Sequence, residues 1–317
     1  MAELNEPVLA LTHLCVHLPS AAGVVRAVED FNLTLYRGEK WCLLGESGCG
    51  KTILALSLLN LLPADTRISG SIQVCGKEIS RLSARQLREL RARDVAMIFE
   101  QPASCLDPLF TIGDQVTEAV QVRKKINRRA AREKTLELLA RVRLPDPRKK
   151  ARQYPYELSG GMIQKVMIAM ALARKPRLII ADEPTTALDV SVRIQIIDLI
   201  KTILEDTGAS LLLISHDPHT VENLCSKAAV MYAGKMVEKG RLADLLHSPA
   251  HPYTRALFEA LSGEKPRPIP GRVPSLAALS PGCAFHPRCP VALPLCRTND
   301  PTFKGNTRCH RQRLCSV

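Results

Sequence analysis

A glycine-rich segment between an apolar run and a helical pattern constrains the fold of this chain more than any other feature. Residues 45–52 are Gly-Glu-Ser-Gly-Cys-Gly-Lys-Thr, which fits the pattern G-x-x-x-x-G-K-[ST]. The apolar residues 41–44 before it predict a buried strand, and residues 53–59 after it predict a helix. A strand, a glycine-rich loop and a helix in this order indicate an α/β domain with a mainly parallel sheet.

The same segment predicts a phosphate-binding loop. Its glycines let the backbone wrap around a phosphate chain, so that main-chain N–H groups and the helix N-terminus face the anion. We expect Lys51 to reach the β- and γ-phosphates and the Thr52 hydroxyl to hold Mg²⁺. The candidate nucleotide-binding residues are Gly45, Glu46, Ser47, Gly48, Cys49, Gly50, Lys51 and Thr52.

A second apolar run, residues 178–181, ends in the acidic pair Asp182-Glu183. The run follows a Lys-Pro-Arg turn and is short enough for a buried parallel strand. Asp182 at its carboxyl end is a candidate for holding Mg²⁺ through a bound water. Glu183 is the candidate general base that polarises the water attacking the γ-phosphate.

Together with further motifs, these segments resemble the ATP-binding-cassette (ABC) family over residues 8 to about 240. The matching segments are 158–164 (the signature motif), 187–189 (the D-loop) and 214–217 (the switch histidine). The resemblance implies that two cassettes clamp ATP between them, with the signature of one facing the γ-phosphate bound by the other. It implies nucleotide-binding roles for Ser159, Gly160, Gly161, Gln164 and Asp189. It also implies that His216 contacts the γ-phosphate and helps to hold Glu183 and the water.

The chain departs from the family pattern after the predicted strand 95–99. The family places Gln directly after this strand, where it touches Mg²⁺ and the attacking water, but here Glu100 comes first and Gln101 second. Either Gln101 enters the site after a one-residue shift, or Glu100 takes the metal-facing role. Pro102 restricts Gln101 to extended conformations, which favours Glu100.

The C-terminal region carries four cysteines spaced C-x5-C-x6-C-x12-C, namely Cys283, Cys289, Cys296 and Cys309. In a chain without a secretory signal, such a cluster favours metal ligands over disulfides, but the spacing alone does not choose the metal. Segments 251–254, 281–283 and 287–290 resemble the C-terminal extension of the dipeptide/oligopeptide/nickel uptake branch. That resemblance implies a [4Fe–4S] cluster on the four cysteines, with zinc as the alternative and Cys315 as a spare thiol.

The net charge of +13 is concentrated in two places. Residues 121–152 hold thirteen Lys and Arg against three acidic residues, and residues 264–317 hold nine against two. The alternatives for the first patch are a face beside anionic inner-leaflet lipid and a nucleic-acid surface. Because no aromatic side chains are interleaved with the charges, we interpret it as a plain solvated helical face. No apolar run approaches 20 residues and no signal peptide is evident, so we expect no membrane span.

We therefore expect an α/β fold: a P-loop NTPase core with an antiparallel β layer at 8–37 and 71–79, a helical signature subdomain at about 100–172, and an irregular Cys-rich extension. The predicted domains are a nucleotide-binding domain at 1–250 and the extension at 251–317. The expected cofactors are ATP, Mg²⁺ and the cluster.

The expected function is an ATPase that energises a peptide transporter from the cytoplasmic face of a bacterial inner membrane. The family implies as partners a second, related ATPase chain, two transmembrane permease subunits and a periplasmic or lipid-anchored substrate-binding protein, and no nucleic acid. Segments 102–108 and 164–167 resemble the ATPases of the Sap system, linked to antimicrobial peptides and putrescine. The alternatives are a soluble ABC ATPase acting on nucleic acid or ribosomes, and a nickel or polyamine transport ATPase.

Overall fold

The computed structural model describes residues 6–21, 23–123, 126–186, 188–262, 268–279 and 281–311. These residues form two compact units. The first comprises the described residues of Met1–Val8, Tyr36–Glu39 and Leu82–Leu212, and the second those of Leu9–Leu35, Lys40–Arg81 and Leu213–Val317. Cys315 and Ala187 lie outside the described residues.

The strands are β1 (Pro7–Ser20), β2 (Gly23–Tyr36), β3 (Lys40–Leu44), β4 (Arg67–Val74), β5 (Lys77–Glu78), β6 (Val95–Ile98), β7 (Leu178–Asp182), β8 (Ser210–Ile214), β9 (Lys227–Tyr232) and β10 (Lys235–Arg241). The α-helices are α1 (Lys51–Ser57), α2 (Ala84–Arg93), α3 (Ile112–Arg123), α4 (Arg128–Arg141), α5 (Pro147–Lys150), α6 (Gly160–Ala173), α7 (Val190–Thr207), α8 (Pro218–Leu224), α9 (Leu242–His247) and α10 (Pro252–Ser262).

An antiparallel β layer in the order β2–β1–β4–β5 belongs to the second unit, and this confirms the predicted layer. Its strand β4 starts at Arg67, four residues before the predicted start of the second segment at residue 71. In β2, Phe31, Leu33 and Leu35 are buried and alternate with more exposed residues, which is the period of two that a half-buried strand requires.

The second unit also holds β3, which pairs in parallel with β9, while β9 pairs with β10 in antiparallel fashion. Four of the five residues of β3 are buried, and so are all but the first residue of β9. Such unbroken apolar runs are typical of strands covered on both faces. The phosphate-loop candidate therefore starts at the carboxyl end of a central strand, as predicted.

The first unit contains the parallel pair β6–β7, with Val95 opposite Leu178 and Ile98 opposite Ala181. Every residue of β7 is buried, which confirms the predicted strand. Residues 100–172 are largely helical, also as predicted. Asn127 caps α4 by accepting a hydrogen bond from the Ala130 N–H at 2.8 Å, and this fixes where the basic helix begins.

The short helix α9 precedes the C-terminal extension. The extension begins with α10 and its described residues continue mainly as turns, with 3₁₀ helices at His286–Arg288 and Pro294–Arg297. This irregular extension is the one predicted. In the part of the chain that the structure describes, no helix combines the length and the apolar composition needed to span a bilayer.

Candidate nucleotide site and four-cysteine cavity

The phosphate-loop candidate needs glycine at two positions because neighbouring backbone leaves no room for a side chain. A Cβ on Gly50, whose φ is +108°, would stand 2.0 Å from the Ala27 carbonyl oxygen. A Cβ on Gly45 would stand 2.3 Å from the Met231 carbonyl oxygen. The loop is thus pressed between β2 and β9, and any larger residue at these positions would displace it.

Lys51 is buried against the loop that it follows. Its Nζ donates to the carbonyl oxygens of Gly45 at 2.7 Å and Glu46 at 2.9 Å, and it lies 3.6 Å from Cys49 Sγ. Burial raises the pKa of the Cys49 thiol, so this sulfur is a neutral neighbour of the ammonium group. The cation predicted to reach phosphate therefore lies inside the loop, held by main-chain oxygens.

Two residues of the C-terminal extension contact Glu46 of the loop. Arg288 Nη1 and Nη2 donate to the two carboxylate oxygens of Glu46 at 2.7 and 2.9 Å. The Tyr253 hydroxyl accepts the main-chain N–H of Glu46 at 2.9 Å. In the sequence, Tyr253 and Arg288 stand out only as members of segments that resemble the peptide-transporter extension. No local pattern pairs Arg288 with a residue 242 positions away.

An aromatic cluster supports these two contacts. Tyr253 lies with its ring centroid 4.5 Å from that of Tyr232 and 5.3 Å from that of Phe285. His251 is buried beside Phe285, and burial lowers the pKa of His251 to about 4. The neutral imidazole accepts the Tyr253 N–H at its Nδ1. Burial also raises the pKa of Tyr253, so its hydroxyl stays protonated at the loop.

The acidic pair lies in the first unit, at the end of β7. Asp182 is 3% exposed, whereas Glu183 is partly exposed and its carboxylate accepts the Thr186 hydroxyl at 3.2 Å. The backbone of Glu183 has φ +48°, in the left-handed region that a residue with a Cβ seldom adopts. Such strain is frequent at functional sites.

The signature motif forms the start of α6 in the same unit. Ser159 is the N-cap residue and is exposed, as is Gly160, and the Ser159 side chain makes no capping hydrogen bond. The N-terminus of a 14-residue helix with an uncommitted hydroxyl is suited to an anion.

Asp189 of the predicted D-loop is the N-cap residue of α7 and accepts the Val192 N–H at 2.9 Å. That hydrogen bond is the main cause of the lowered pKa of Asp189. Val192 in turn lies against Gly161, so the signature motif contacts the start of α7, which Asp189 caps.

The structure gives Gln164 an internal position. Its side chain is 2% exposed and its Nε2 donates to the Pro184 carbonyl at 2.8 Å, which ties the signature helix to the segment after the acidic pair. Glu100 and Gln101 are both exposed after β6, and Gln101 has φ −111° and ψ 84°. The Phe99 N–H donates to Met167 Sδ at 3.2 Å, which anchors this loop to α6.

His216 lies in the second unit, after β8. It is exposed and lines a narrow apolar cavity together with Val221 of α8 and Phe258 of α10. Asp217 caps α8 by accepting the Thr220 N–H at 3.1 Å. The second unit therefore carries the phosphate loop, His216 and the extension, and the first unit carries the acidic pair, Glu100, Gln101, the signature and Asp189.

The four cysteines predicted as metal ligands line one small cavity of the second unit. The cavity is lined by Cys283, Cys289, Cys296 and Cys309, and by His251, His286 and His310 among others. Burial raises the pKa of Cys283 to about 11. The donor set suits a soft metal or an iron–sulfur cluster. Among the described residues, however, no three His, Cys, Asp or Glu side chains are already arranged to hold a metal ion.

An exposed apolar turn lies between β6 and α3 in the first unit. Leu109 is 79% and Phe110 is 54% exposed. The buried amide of Gln115 fixes this turn, because its Nε2 donates to the carbonyl oxygens of Asp107 and Phe110 and its Oε1 accepts the Asp107 N–H. Tyr156, 73% exposed, lies on a segment that is hydrogen-bonded to the start of α3. The resemblance to the family implies that the membrane subunits dock near residues 100–112 and on the helical subdomain, and this turn lies in that range.

Family models match two parts of the chain. Residues 28–186 match the model described as ABC transporter, and residues 237–296 match the oligopeptide/dipeptide transporter C-terminal region. The chain is 41% identical to the dipeptide transport ATP-binding protein DppD of Bacillus subtilis, over 95% of this chain and 91% of that protein. It is also 41% identical to the oligopeptide transport ATP-binding protein OppD of Salmonella typhimurium, over 92% and 89%.

Solved ABC cassettes share the fold. The dimeric post-hydrolysis structure of the ATP-binding cassette MJ0796, bound to ADP and Pi, is 26% identical to this chain, with a TM-score of 0.66. The match covers 74% of this chain and 98% of that one. CbiO1 from Clostridium perfringens, part of the CbiONQ transporter complex, is 23% identical, with a TM-score of 0.64 over 82% and 96%, and shares the fold.

Proposed function

The chain belongs to the ABC transporter ATPases that carry the oligopeptide/dipeptide C-terminal region, and from this premise we propose that it energises the uptake of peptides. The observation that carries the proposal is that one compact unit holds both the phosphate loop and the extension typical of peptide transporters. The relatives named for dipeptide and oligopeptide transport match nearly the whole chain, which supports a peptide cargo.

In the proposed reaction, ATP binds along the phosphate loop and is hydrolysed by water. Lys51 exchanges its main-chain partners for the β- and γ-phosphates, and Thr52 and Asp182 hold Mg²⁺. Glu183 accepts the proton of the attacking water, and His216 positions the γ-phosphate and the water. The exposed N-terminus of α6 carries a partial positive charge on its main-chain N–H groups. This supports the proposal that Ser159, Gly160 and Gly161 bind the γ-phosphate held by a second cassette.

Glu100 and Gln101 are the alternatives for the remaining metal-facing role. Both are exposed, and the ψ of 84° at Gln101 keeps that residue out of the helical region, as expected before proline. We retain Glu100 as the metal-facing residue. A carboxylate there would add a negative charge beside Mg²⁺ that the glutamine of other family members does not carry.

The proposed partners are a second ATPase chain, two permease subunits and a substrate-binding protein. The turn with Leu109 and Phe110 supports a contact with a permease, because large apolar side chains held rigidly in solvent are typical of protein interfaces. Such contacts would hold the chain on the cytoplasmic face of the membrane.

We also propose that the four cysteines hold a [4Fe–4S] cluster, with zinc as the alternative. The fact that they line one cavity supports this role. Metal binding would require loss of the Cys283 proton and a small rearrangement of the side chains. When bound, the group would cross-link the irregular extension.

The function is tested by expressing the chain with its candidate partner ATPase, permeases and substrate-binding protein, and by measuring peptide uptake and peptide-stimulated ATP hydrolysis in proteoliposomes. Dipeptides and oligopeptides should stimulate ATP hydrolysis. Ni²⁺ and putrescine are tested in the same assay as alternative cargoes, and antimicrobial peptides are tested as the cargo of the Sap-like alternative. Stimulation by Ni²⁺ or putrescine alone would replace the peptide proposal. Copurification with ribosomes or DNA instead of permeases would contradict transport altogether.

A further inference from the structure

We propose that Arg288 of the C-terminal extension is a positioning residue for the phosphate loop and acts through Glu46. Every polar contact described for the Arg288 side chain is internal to the second unit. Its guanidinium donates to both carboxylate oxygens of Glu46, to the carbonyl oxygens of Pro270 and Ile269, and to the Tyr232 hydroxyl. A planar guanidinium fits a carboxylate in this two-bond geometry, and a lysine would not.

The ion pair is shielded from water, which makes it stronger than a surface pair. The Arg288 side chain is 3% exposed and the Glu46 side chain 21%. The hydrogen bonds to Glu46 are the main cause of the raised pKa of Arg288. Because both partners are largely desolvated, loss of either one leaves a charge without compensation next to the loop.

Glu46 links Arg288 to Lys51, the residue that we expect to bind phosphate. Its side chain is held by Arg288, its N–H by the Tyr253 hydroxyl, and its carbonyl oxygen accepts Lys51 Nζ at 2.9 Å. The Cys49 N–H donates to the same carbonyl oxygen at 3.4 Å. Two of the four groups that are hydrogen-bonded to Glu46 thus come from the extension. The position of the Glu46 carbonyl decides how firmly the loop itself holds Lys51, and so how readily Lys51 turns to a phosphate.

Two consequences follow for the nucleotide site. First, the extension is part of that site, although a separate family model covers it. Second, Arg288 neutralises Glu46, so without Arg288 the carboxylate would repel the phosphates of the nucleotide. The effect should therefore grow with the number of phosphates and vanish for adenosine. The inference rests on the proposed ATP site and deepens it.

The test measures the affinities of ATP, ADP, AMP and adenosine by competition with a fluorescent ADP analogue. Arg288→Gln should weaken ATP binding about tenfold, within the usual range for coupled sites, and adenosine binding by less than about twofold. Arg288→Lys should lie in between. In a Glu46→Gln background, Arg288→Gln should have less than about a twofold further effect, because the group it acts through has lost its charge. Arg297→Gln, at an exposed arginine of the same extension, is the matched control and should bind like the native chain.

Hydrogen exchange on the native chain provides a readout that does not depend on the stability of any variant. By reciprocity, ADP should slow exchange at the amides of residues 283–289 as well as in the phosphate loop. The inference would be overturned if Arg288→Gln weakened ATP and adenosine binding equally, or if its effect on ATP binding were unchanged in the Glu46→Gln background. It would also be overturned if ADP slowed hydrogen exchange only in the phosphate loop. If the native chain and Arg297→Gln themselves fail to bind ATP, the proposed function fails instead.

Discussion

Val192 occupies the space that a side chain on Gly161 would need: a Cβ on Gly161 would stand 2.6 Å from Val192 Cγ1. The signature motif and the start of α7, which Asp189 caps, are therefore in direct contact within the first unit. Gly160, one residue earlier, has nothing within 4 Å of its would-be Cβ. Close packing therefore requires glycine at position 161, whereas position 160 has room for a side chain.

Gly161→Ala should destabilise the chain by about 1–3 kcal/mol, because the added methyl group collides with Val192. Val192→Ala should restore much of that loss in the double variant, since contacting residues are coupled. Urea unfolding measures both changes. Gly160→Ala is the matched control for stability and should cost less than Gly161→Ala. Equal costs at the two glycines would contradict the packing explanation.

Glu183→Gln should keep ATP binding but lower hydrolysis at least about 100-fold, because an amide cannot accept the proton of the attacking water. Bound ATP should then trap the two-cassette form, visible as a larger species by light scattering. Glu205→Gln, on the exposed face of α7, serves as the control for the loss of a negative charge. Unchanged hydrolysis in Glu183→Gln would remove Glu183 from the role of base.

Lys51→Ala should weaken ATP binding about ten- to hundredfold through the loss of charge-assisted hydrogen bonds. Isothermal titration calorimetry measures this change. The variant also removes two donors to loop carbonyls, so its unfolding midpoint has to be compared with that of the native chain. Native-like affinity in a folded Lys51→Ala variant would exclude Lys51 from phosphate binding.

Replacing Leu109 and Phe110 by serine should abolish copurification of the permeases while leaving the unfolding midpoint nearly unchanged, because both side chains are exposed. Val24→Ser, at a half-exposed apolar residue of β2 in the second unit, is the control. Retention of permeases by the double variant would place the docking surface elsewhere.

Protein purified anaerobically should contain iron and sulfide and absorb broadly at about 400 nm, as expected for a cluster held by four thiolates. Cys289→Ser and Cys296→Ser should each lower the bound iron. Cys105→Ser, at an exposed cysteine of the first unit, is the matched control and should leave the metal content unchanged. Stoichiometric zinc in a colourless sample would establish the alternative, and protein free of both metals would contradict a metal site.

Motifs made of neighbouring residues were predicted most completely. The strand before the phosphate loop and the buried strand ending at Asp182 were found where the apolar pattern predicted them. The helix after the loop was also found, but α1 (Lys51–Ser57) lies two residues earlier at both ends than the predicted 53–59. The bounds of the antiparallel layer were predicted less well. The first four residues of β4, 67–70, are all exposed and show no alternation of buried and exposed residues. The internal position of Gln164 was not foreseen either, since its neighbours in sequence do not show that Pro184 lies beside it.

The amino-acid sequence by itself determined the chemistry of the chain: a phosphate loop, an acidic pair after an apolar strand, a signature turn and four cysteines. These features could be predicted because each depends on residues that are adjacent in the chain. Only the tertiary structure decided that Arg288 neutralises Glu46, that Val192 requires glycine at position 161, and that the four cysteines line one cavity. Such pairings depend on the path of the backbone between distant segments, and no local pattern encodes that path.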